Sequence, residues 1–469
     1  MRARRPRRTA SRILSARPWR IFLPGLPQPR TGRASSLVLL YGFLALIALG
    51  TILLVLPFAN RSGQSTPVMD ALFTSTSAVC VTGLVVVDTG DHWSFFGQMV
   101  ILALIQIGGF GFMTSATLLL LVFGRRIGLR ERLLISDSMG GTQLGGLVRL
   151  IRRIALYAVT LELVGAVVFF FRFSRDNSVG EAVWKSLFHS VSAFNNAGFD
   201  LFGGFRSLSG YHTDGLVVIA TAVLIILGGI SFMVVADVLR TRGLKRLSLN
   251  SKLVLSTTAL LLVGGMALIL LTEFRDPDTL GALSVPQKLL SAFFQSVTAR
   301  TAGFSTTSMA GLADFTLLLI MLLMFVGGAS GSTAGGVKVN TFGLLLATIW
   351  SAIRGREEAG AFGREFSNQL VHRALAVALL SLGAITLTVF LLTVTEESQF
   401  VDLLFESVSA FGTVGLSTSV TPGLSPGGKA VIAMTMLVGR LGPLTLALSL
   451  IQRQHPTEYH YPKDAVTIG

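Results

Sequence analysis

Four short segments rich in small and polar residues interrupt an otherwise apolar chain. Each begins with a hydroxyl residue, Ser77, Ser192, Thr298 or Ser409, and ends at a glycine. Glycine permits backbone geometries that a side chain forbids, so such a segment can present its carbonyl oxygens to a cation. The candidate ion-binding tetrads are Cys80, Val81, Thr82 and Gly83; Asn195, Asn196, Ala197 and Gly198; Arg300, Thr301, Ala302 and Gly303; and Gly412, Thr413, Val414 and Gly415.

The four terminal glycines, Gly83, Gly198, Gly303 and Gly415, are separated by 115, 105 and 112 residues. A single copy could equally be a helix C-cap or a tight turn. Recurrence at nearly constant spacing favours one structural unit used four times, with one binding position for a cation at these glycines. The third copy is one residue shorter between Thr298 and its glycine, so we expect it to deviate from fourfold symmetry.

The side chains of these segments are expected to support the backbone and not to bind the ion directly. The four hydroxyl residues, together with Asn195 and Asn196, can brace the loops through hydrogen bonds. Arg300 and Cys80 are expected to face away from the ion path, as side chains of a carbonyl-lined filter usually do.

The composition predicts a polytopic membrane protein. Of the 469 residues, 51% are hydrophobic and only 13% are charged, which leaves too little polar surface to cover a soluble globule. Apolar stretches long enough to cross about 30 Å of hydrocarbon occur eight times. They are centred on residues 36–57, 95–123, 148–172, 214–239, 253–273, 312–350, 371–394 and 429–451.

The net charge of +15 lies mostly in segments between the apolar stretches. Basic segments begin at Met1, Gly124, Arg240 and Arg354, which follows the positive-inside rule and places both termini in the cytoplasm. This distribution indicates a bilayer and no nucleic acid. The basic N-terminus lacks the apolar run of a signal peptide and is expected to be attracted to lipid headgroups. The single Cys80 excludes an internal disulfide and a multi-cysteine metal site.

The four segments that run from a hydroxyl residue to a glycine are called filter segments below. Each is preceded by a helix that is too short and too polar to cross the bilayer, as expected for a re-entrant pore helix. The start signals are Thr66 before Pro67, a capping box of Ser178 with Glu181, then Pro286 and Ser398. The pore-helix C-termini would favour a cation. Because each unit crosses the membrane twice, every unit starts on the same side of the membrane. The four units therefore have the same orientation and can be arranged around a pseudo-fourfold axis. The expected divisions are a basic cytoplasmic tail (1–35), repeats 1 (36–123), 2 (124–240) and 3 (241–353, with a broken second span), and repeat 4 with the C-terminal tail (354–469).

The sequence resembles the KtrB branch of the Trk/Ktr/HKT superfamily of potassium transporters over about residues 36–469. The matching strings are VTGLVVVDTG, LIQIGGFGFMT, FHSVSAFNNAGF, RTAGF, SAFGTVGL and GRLGPLT. The resemblance implies an all-α bacterial cell-membrane (inner-membrane) protein with eight transmembrane helices and four pore helices in each subunit. It further implies potassium as substrate, a homodimer and a cytoplasmic nucleotide-binding ring of the KtrA type. No cofactor is implied in this chain, and sodium dependence stays open.

The apolar region 312–350 is about twice the length of one span and is broken by a glycine-rich stretch. This stretch could be a cytoplasmic loop, but its place in the third repeat favours a mobile intramembrane loop below the filter, and the resemblance implies a gate here. Lys338 either belongs to the gate or extends to the cytoplasmic interface. The expected gate residues are Gly327, Gly328, Ala329, Ser330, Gly331, Ser332, Thr333, Ala334, Gly335, Gly336, Lys338 and Arg440.

Arg440 lies inside the last apolar stretch, where a charge must face protein or water. The resemblance implies a pore-facing arginine at this position. The alternative is a buried ion pair, for which Glu162 and Glu406 are the available carboxylates.

The pattern indicates a passive, gated cation pathway with no catalysis. Only one glycine recurs in each loop, so we expect fewer coordination layers than in potassium channels and weaker rejection of sodium. A cation-coupled secondary transporter would predict inverted repeats and carboxylates along the path. An intramembrane enzyme would need a catalytic grouping, and the spans contain neither HExxH nor a Ser/His/Asp set.

Overall fold

The computed structural model describes residues 31–111, 147–241, 243–277, 279–356 and 358–443. The described chain is helical apart from its loops, five 3₁₀ turns and one hairpin of β1 (Gly360–Ala361) with β2 (Arg364–Glu365). The predicted all-α polytopic class is therefore confirmed. The basic tail up to residue 30, the basic loop from Gly124 and the C-terminal residues 444–469 lie outside the described residues.

Each repeat begins with a long apolar helix that can cross a membrane by itself. Their outward faces carry exposed leucine, valine and phenylalanine side chains, as expected for helices in contact with lipid. The four helices are α1 (Thr31–Val55), α5 (Leu147–Phe173), α9 (Leu249–Glu273) and α13 (Asn368–Thr395).

A second, shorter helix follows each long one and ends at a filter segment. The four pore helices are α2 (Val68–Cys80), α6 (Val179–Phe194), α10 (Val285–Thr298) and α14 (Phe400–Gly412). Their C-terminal halves are buried almost completely, while their first turns are more exposed. Three of them carry an acidic residue in the first turn, Asp70, Glu181 or Asp402, where a negative charge complements the helix dipole.

The predicted helix starts hold only in part. Ser178 is the N-cap of α6, but its side chain caps nothing, so the expected capping box with Glu181 is not formed. The feature occurs instead in α10, where the Gln287 side chain accepts a hydrogen bond from Ser284 N–H at 3.1 Å. Helix α14 begins one residue later than expected, with Gln399 and not Ser398 at the N-cap. Capping-box spacing thus locates helix starts without fixing the side-chain hydrogen bonds.

The second apolar helix of each repeat is short, bent or interrupted within the described residues. In repeat 2 the helix bends by 94° between its two segments, and in repeat 3 it is interrupted by residues 326–338. The expected eight spans thus correspond to four unbroken helices and four irregular ones. The latter are α4 (Phe95–Phe110), α7 (Gly215–Gly229) with α8 (Phe232–Thr241), α11 (Asp314–Phe325) with α12 (Val339–Ile353), and α15 (Pro426–Leu441). A one-turn helix, α3 (Thr89–His92), precedes α4.

The repeats form a closed ring in chain order. Each pore helix packs against the second helix of the preceding repeat: α6 against α4, α10 against α7, and α14 against α11. The ring closes where α2 of the first repeat packs against α15 of the last. Lys429 and Asp70 form a 2.7 Å ion pair across this junction, although 359 residues separate them in the chain.

Candidate functional site

The four filter glycines meet at the centre of this ring of repeats. Gly83, Gly198, Gly303 and Gly415 together form what we call the glycine ring. All four have positive φ, between +72° and +93°, a conformation that side chains disfavour. A Cβ at any of them would collide with the carbonyl oxygen that precedes the next glycine. The distances would be 2.5 Å from Gly83 to Ala197 O, 2.8 Å from Gly198 to Ala302 O, 2.4 Å from Gly303 to Val414 O, and 2.3 Å from Gly415 to Thr82 O.

The filter loops share a second backbone feature, which extends to the shortened third copy. The residue two positions before each glycine also has positive φ: Val81, Asn196, Thr301 and Thr413. In each loop, this pair of left-handed residues reverses the chain directly after the pore helix. Around the ring, the carbonyls that precede the four glycines therefore alternate with the glycines themselves. An arrangement of this kind can replace the hydration shell of one cation.

The missing residue of the third copy is absorbed at the end of its pore helix. Ala302 N–H bonds to Thr298 O at 3.0 Å across four residues, whereas Thr82 N–H bonds to Ser77 O at 2.8 Å across five. The deviation from fourfold symmetry therefore lies before the loop, and the dihedral pattern at Thr301 and Gly303 matches that of the other copies.

The hydroxyl residues that begin the segments bond to the loop backbone. Ser77 Oγ accepts from Gly83 N–H at 3.0 Å, and Ser409 Oγ accepts from Gly415 N–H at 3.1 Å. In the other two copies the hydroxyl donates to the carbonyl that follows the glycine, from Ser192 to Phe199 O and from Thr298 to Phe304 O, both at 2.6 Å. All four hydroxyls hold the loops in place, which is the role expected of them.

Asn195 belongs to a buried polar cluster behind the second filter loop. Its amide nitrogen donates to Glu162 Oε1 and to Gln106 Oε1, each at 3.0 Å, while Gln106 donates to the same carboxylate at 3.0 Å. Glu162 lies on α5 and Gln106 on α4, so the cluster joins the first two repeats. Sequence reasoning considered Glu162 only as a partner for Arg440 and missed this role.

The two other unusual filter side chains do not line the cavity beside the glycine ring. Cys80 is fully buried at the end of the first pore helix. The Arg300 guanidinium lies behind the third loop and donates from Nη2 to Gly327 O at 3.1 Å. Asn196 reaches across to the third loop and donates to Thr301 Oγ1 at 3.3 Å.

A cavity of about 560 Å³ lies on one side of the glycine ring and is lined by all four glycines. Asp88 and Asp91 fix its wall by accepting hydrogen bonds from Phe205 N–H at 2.7 Å and Gly204 N–H at 2.8 Å. Asp200 also lines the cavity, and burial raises the pKa of its carboxyl to about 7. The glycine ring is therefore open to this cavity on one side.

On the other side of the ring, the interruption in the third repeat forms a well-packed loop. Ala329 N–H donates to Gly229 O at 3.0 Å, and Thr333 bonds to Gly228 O through its N–H at 3.3 Å and its hydroxyl at 3.0 Å. The loop therefore satisfies carbonyls at the end of α7 that have no partner within that helix.

The glycines of this loop allow close packing, and the mobility that the sequence predicted from them stays a prediction. A Cβ at Gly335 would lie 2.1 Å from Thr413 Oγ1 in the fourth filter segment, and one at Gly327 would lie 2.1 Å from Gly335 O. The loop consequently lies directly against the base of the filter. Lys338 folds back onto this loop and donates to Ala334 O at 2.6 Å.

Arg440 connects the loop to the first repeat through backbone carbonyls. Its guanidinium donates to Thr333 O and Gly108 O, with a longer contact of 3.5 Å to Gly109 O. The alternative of an ion pair is wrong for both carboxylates considered. Glu162 is bonded to the amides described above, and Glu406 accepts from the hydroxyls of Ser417 and Thr421 and from Thr418 N–H.

Sequence reasoning missed a second set of recurring glycines, on the helices that follow the filter. Gly108, Gly228 and Gly439 each contact a carbonyl in the last turn of their own repeat's pore helix; a Cβ would lie 2.1 Å from Val79 O, 1.8 Å from Phe194 O and 1.9 Å from Phe411 O respectively. The signal was available in the strings IGGFG, LGGIS, VGGAS and VGRLG, one in each repeat. In the fourth string Arg440 occupies the position of the second glycine.

Comparison with known proteins agrees with this architecture. Residues 19–459 match the TrkH family, described as cation transport proteins. The chain is 40% identical to Ktr system potassium uptake protein B of Bacillus subtilis over 432 residues, covering 92% of this chain and 96% of the relative.

Two further relatives match over most of their length. Ktr system potassium uptake protein B of Vibrio alginolyticus is 39% identical, with 96% of this chain and 98% of the relative covered. The potassium/sodium uptake protein NtpJ of Enterococcus hirae is 40% identical, with 91% and 96% covered.

The fold is also similar to a solved structure, that of the potassium transporter TrkH from Vibrio parahaemolyticus. The TM-score is 0.70 at 20% sequence identity, over 90% of this chain and 86% of that chain. The protein therefore belongs to the TrkH family of cation transport proteins, within the KtrB branch of the Trk/Ktr superfamily.

Proposed function

We propose that this protein carries potassium ions into the bacterial cell through the glycine ring, and that the loop below the ring gates the path. The observation that carries the proposal is the close packing of each filter glycine against the carbonyl that precedes the glycine of the next filter segment, around a complete circle of four. The names of the relatives, potassium uptake and potassium/sodium uptake proteins, support potassium as the substrate.

The ring can attract a cation without a charged side chain in contact with the ion. Four pore helices end at the ring, and the negative ends of their dipoles favour a cation there. Because each loop contributes one glycine, the ring offers fewer coordination layers than a potassium channel filter, and sodium should be rejected less strongly. Glu162 and Glu406 are bonded to protein groups and do not line the cavity, where the carboxylates are Asp88 and Asp200. The ring itself is formed by backbone carbonyls, which supports a carbonyl-lined path over a carboxylate-coupled transporter.

The loop is suited to act as a gate because hydrogen bonds to three neighbouring segments hold its closed position. Ala329 and Thr333 join it to α7, Arg300 joins it to the third filter segment, and Arg440 joins it to the fourth repeat. A net hydrogen bond contributes about 1 kcal/mol, and somewhat more when one partner is charged. A pull on the helices that flank the loop could break these contacts and open the path.

The relatives are named as parts of a Ktr system, which supports a cytoplasmic regulatory subunit of the KtrA type acting on a homodimer. Exposed apolar side chains on the long helices support a location in the bacterial inner membrane, and the basic segments support a cytoplasmic position for both termini.

The function is tested by expression in a bacterial strain that lacks its own potassium uptake systems, with and without a KtrA-type partner. Growth and rubidium uptake at low external potassium should be restored, and the partner should increase the rate. Purified protein in planar bilayers should show currents that reverse near the potassium equilibrium potential. Currents that follow a proton or sodium gradient in stoichiometric proportion to potassium would indicate a coupled transporter instead.

A further inference from the structure

Two buried polar groups behind the filter have no protein partner among the described residues. One is the Nε–H of Arg300, a residue that is 8% exposed and bonds to the gate loop only through Nη2. The other is Oδ1 of Asn196, which is 1% exposed and uses its amide nitrogen to bond to Thr301. One group is a donor and the other an acceptor, so a single small molecule could satisfy both.

The two residues face the same small cavity. It measures about 20 Å³ and is also lined by Gly229, Gly328 and Thr258. A buried water needs roughly 10–15 Å³ of such space and two to four polar partners. The cavity is therefore large enough for one water molecule and offers a donor and an acceptor, whereas a larger ligand would not fit.

We propose that this cavity is a binding site for one ordered water, which accepts a hydrogen bond from Arg300 Nε–H and donates one to Asn196 Oδ1. Leaving both groups buried without a partner would be costly, because each lost its hydration on folding. A bridging water removes that cost at little expense in entropy.

The site assigns a specific task to Arg300, and this part rests on the proposed function. Arg300 belongs to the third filter loop, Asn196 to the second, and Gly327, which accepts from Arg300, begins the gate loop. The guanidinium and its water thus connect two filter loops to the gate. Arg300 is a positioning residue: it does not touch the ion, but it holds the filter in register with the gate.

The structural test is a density map of the intact protein at better than about 2 Å resolution, in chloride and in bromide buffers. The expected result is one peak within hydrogen-bond distance of Arg300 Nε and Asn196 Oδ1, unchanged by the buffer. A direct bond between the two side chains without such a peak would overturn the proposal. An anomalous bromide signal would also overturn it and assign an anion to the cavity. This test does not depend on transport.

The transport test compares Arg300→Lys, which keeps the charge but loses the forked donor, with Thr258→Leu, which fills the cavity with an apolar group from α9 and leaves both filter side chains in place. Both variants should raise the ratio of sodium to potassium flux about threefold, the value of one modest hydrogen bond. Ser291→Ala is the matched control, because Ser291 is buried on α10, the pore helix before Arg300, but does not line this cavity. Wild-type flux ratios in both variants would contradict the positioning role, and if Arg300→Lys fails to fold, Thr258→Leu still decides it.

Discussion

Serine substitutions at the four filter glycines should impair ion selection to different degrees, in an order set by the structure. Each adds a Cβ at a position of positive φ, which costs a side chain about 1–2 kcal/mol. Each also pushes against the carbonyl that precedes the next glycine. The two effects agree at the extremes: Gly415 has the shortest distance, 2.3 Å, with φ +93°, and Gly198 has the longest, 2.8 Å, with φ +72°.

The backbone cost alone gives the smallest effect expected. When the ion-free loop relaxes out of the left-handed conformation and the ion-bound loop must adopt it, a penalty of about 1–2 kcal/mol corresponds to roughly a 5- to 30-fold loss in equilibrium binding of potassium. Gly198→Ser should lie near the lower end of this range. Gly415→Ser should lie at or beyond the upper end and should also lose selectivity over sodium, because the displaced Thr82 carbonyl belongs to the ring itself.

The assay is rubidium uptake in potassium-transport-deficient cells, measured against external potassium and sodium at matched membrane expression. Gly264→Ser is the control, since a Cβ there would meet no atom within 4 Å in the described chain. Wild-type affinity and selectivity in a well-expressed Gly415→Ser variant would remove the glycine ring from the ion path. A stronger effect at Gly198 than at Gly415 would show that the collision argument is wrong.

Three further predictions concern the gate and the ring junction. Deleting residues 330–333 removes the contacts of Thr333 with α7 and should raise potassium flux without changing ion preference; unchanged flux, or altered preference, would count against a gate. Arg440→Gln should raise flux through loss of the bond to Thr333 O while Arg440→Lys stays closer to wild type, and simple loss of protein from the membrane would indicate a structural role instead. Asp70→Asn leaves Lys429 unpaired at a largely buried junction, so the melting temperature of purified protein should fall by several degrees and recover partly in Asp70→Asn with Lys429→Met; an unchanged melting temperature would mean that the ion pair contributes little.

Recurrence in the chain made the filter predictable. Four hydroxyl-to-glycine segments at near-constant spacing located the loops, and short polar helices before them located the pore helices. What the sequence could not supply was the pairing of elements distant in the chain. The contact between Gly415 and Thr82 O, and that between Lys429 and Asp70, depend on closure of the ring.

The gate region has close contacts that composition does not reveal. A Cβ at Gly327 or Gly335 would collide with a neighbouring atom, a constraint visible only in three dimensions, while the mobility predicted from these glycines stays a prediction. The ion pair considered as the alternative for Arg440 is not formed with Glu162 or Glu406, because Arg440 bonds to backbone carbonyls at the loop and at the end of α4. Irregular backbone provides acceptors that a sequence does not display.

The glycine ring as the potassium site is tested most directly by anomalous diffraction from crystals of the protein in which thallium or rubidium replaces potassium. The account predicts one dominant anomalous peak at the centre of Gly83, Gly198, Gly303 and Gly415, which weakens when sodium is added in large excess. A dominant peak beside Glu162 or Glu406, or an empty ring at saturating ion, would contradict it.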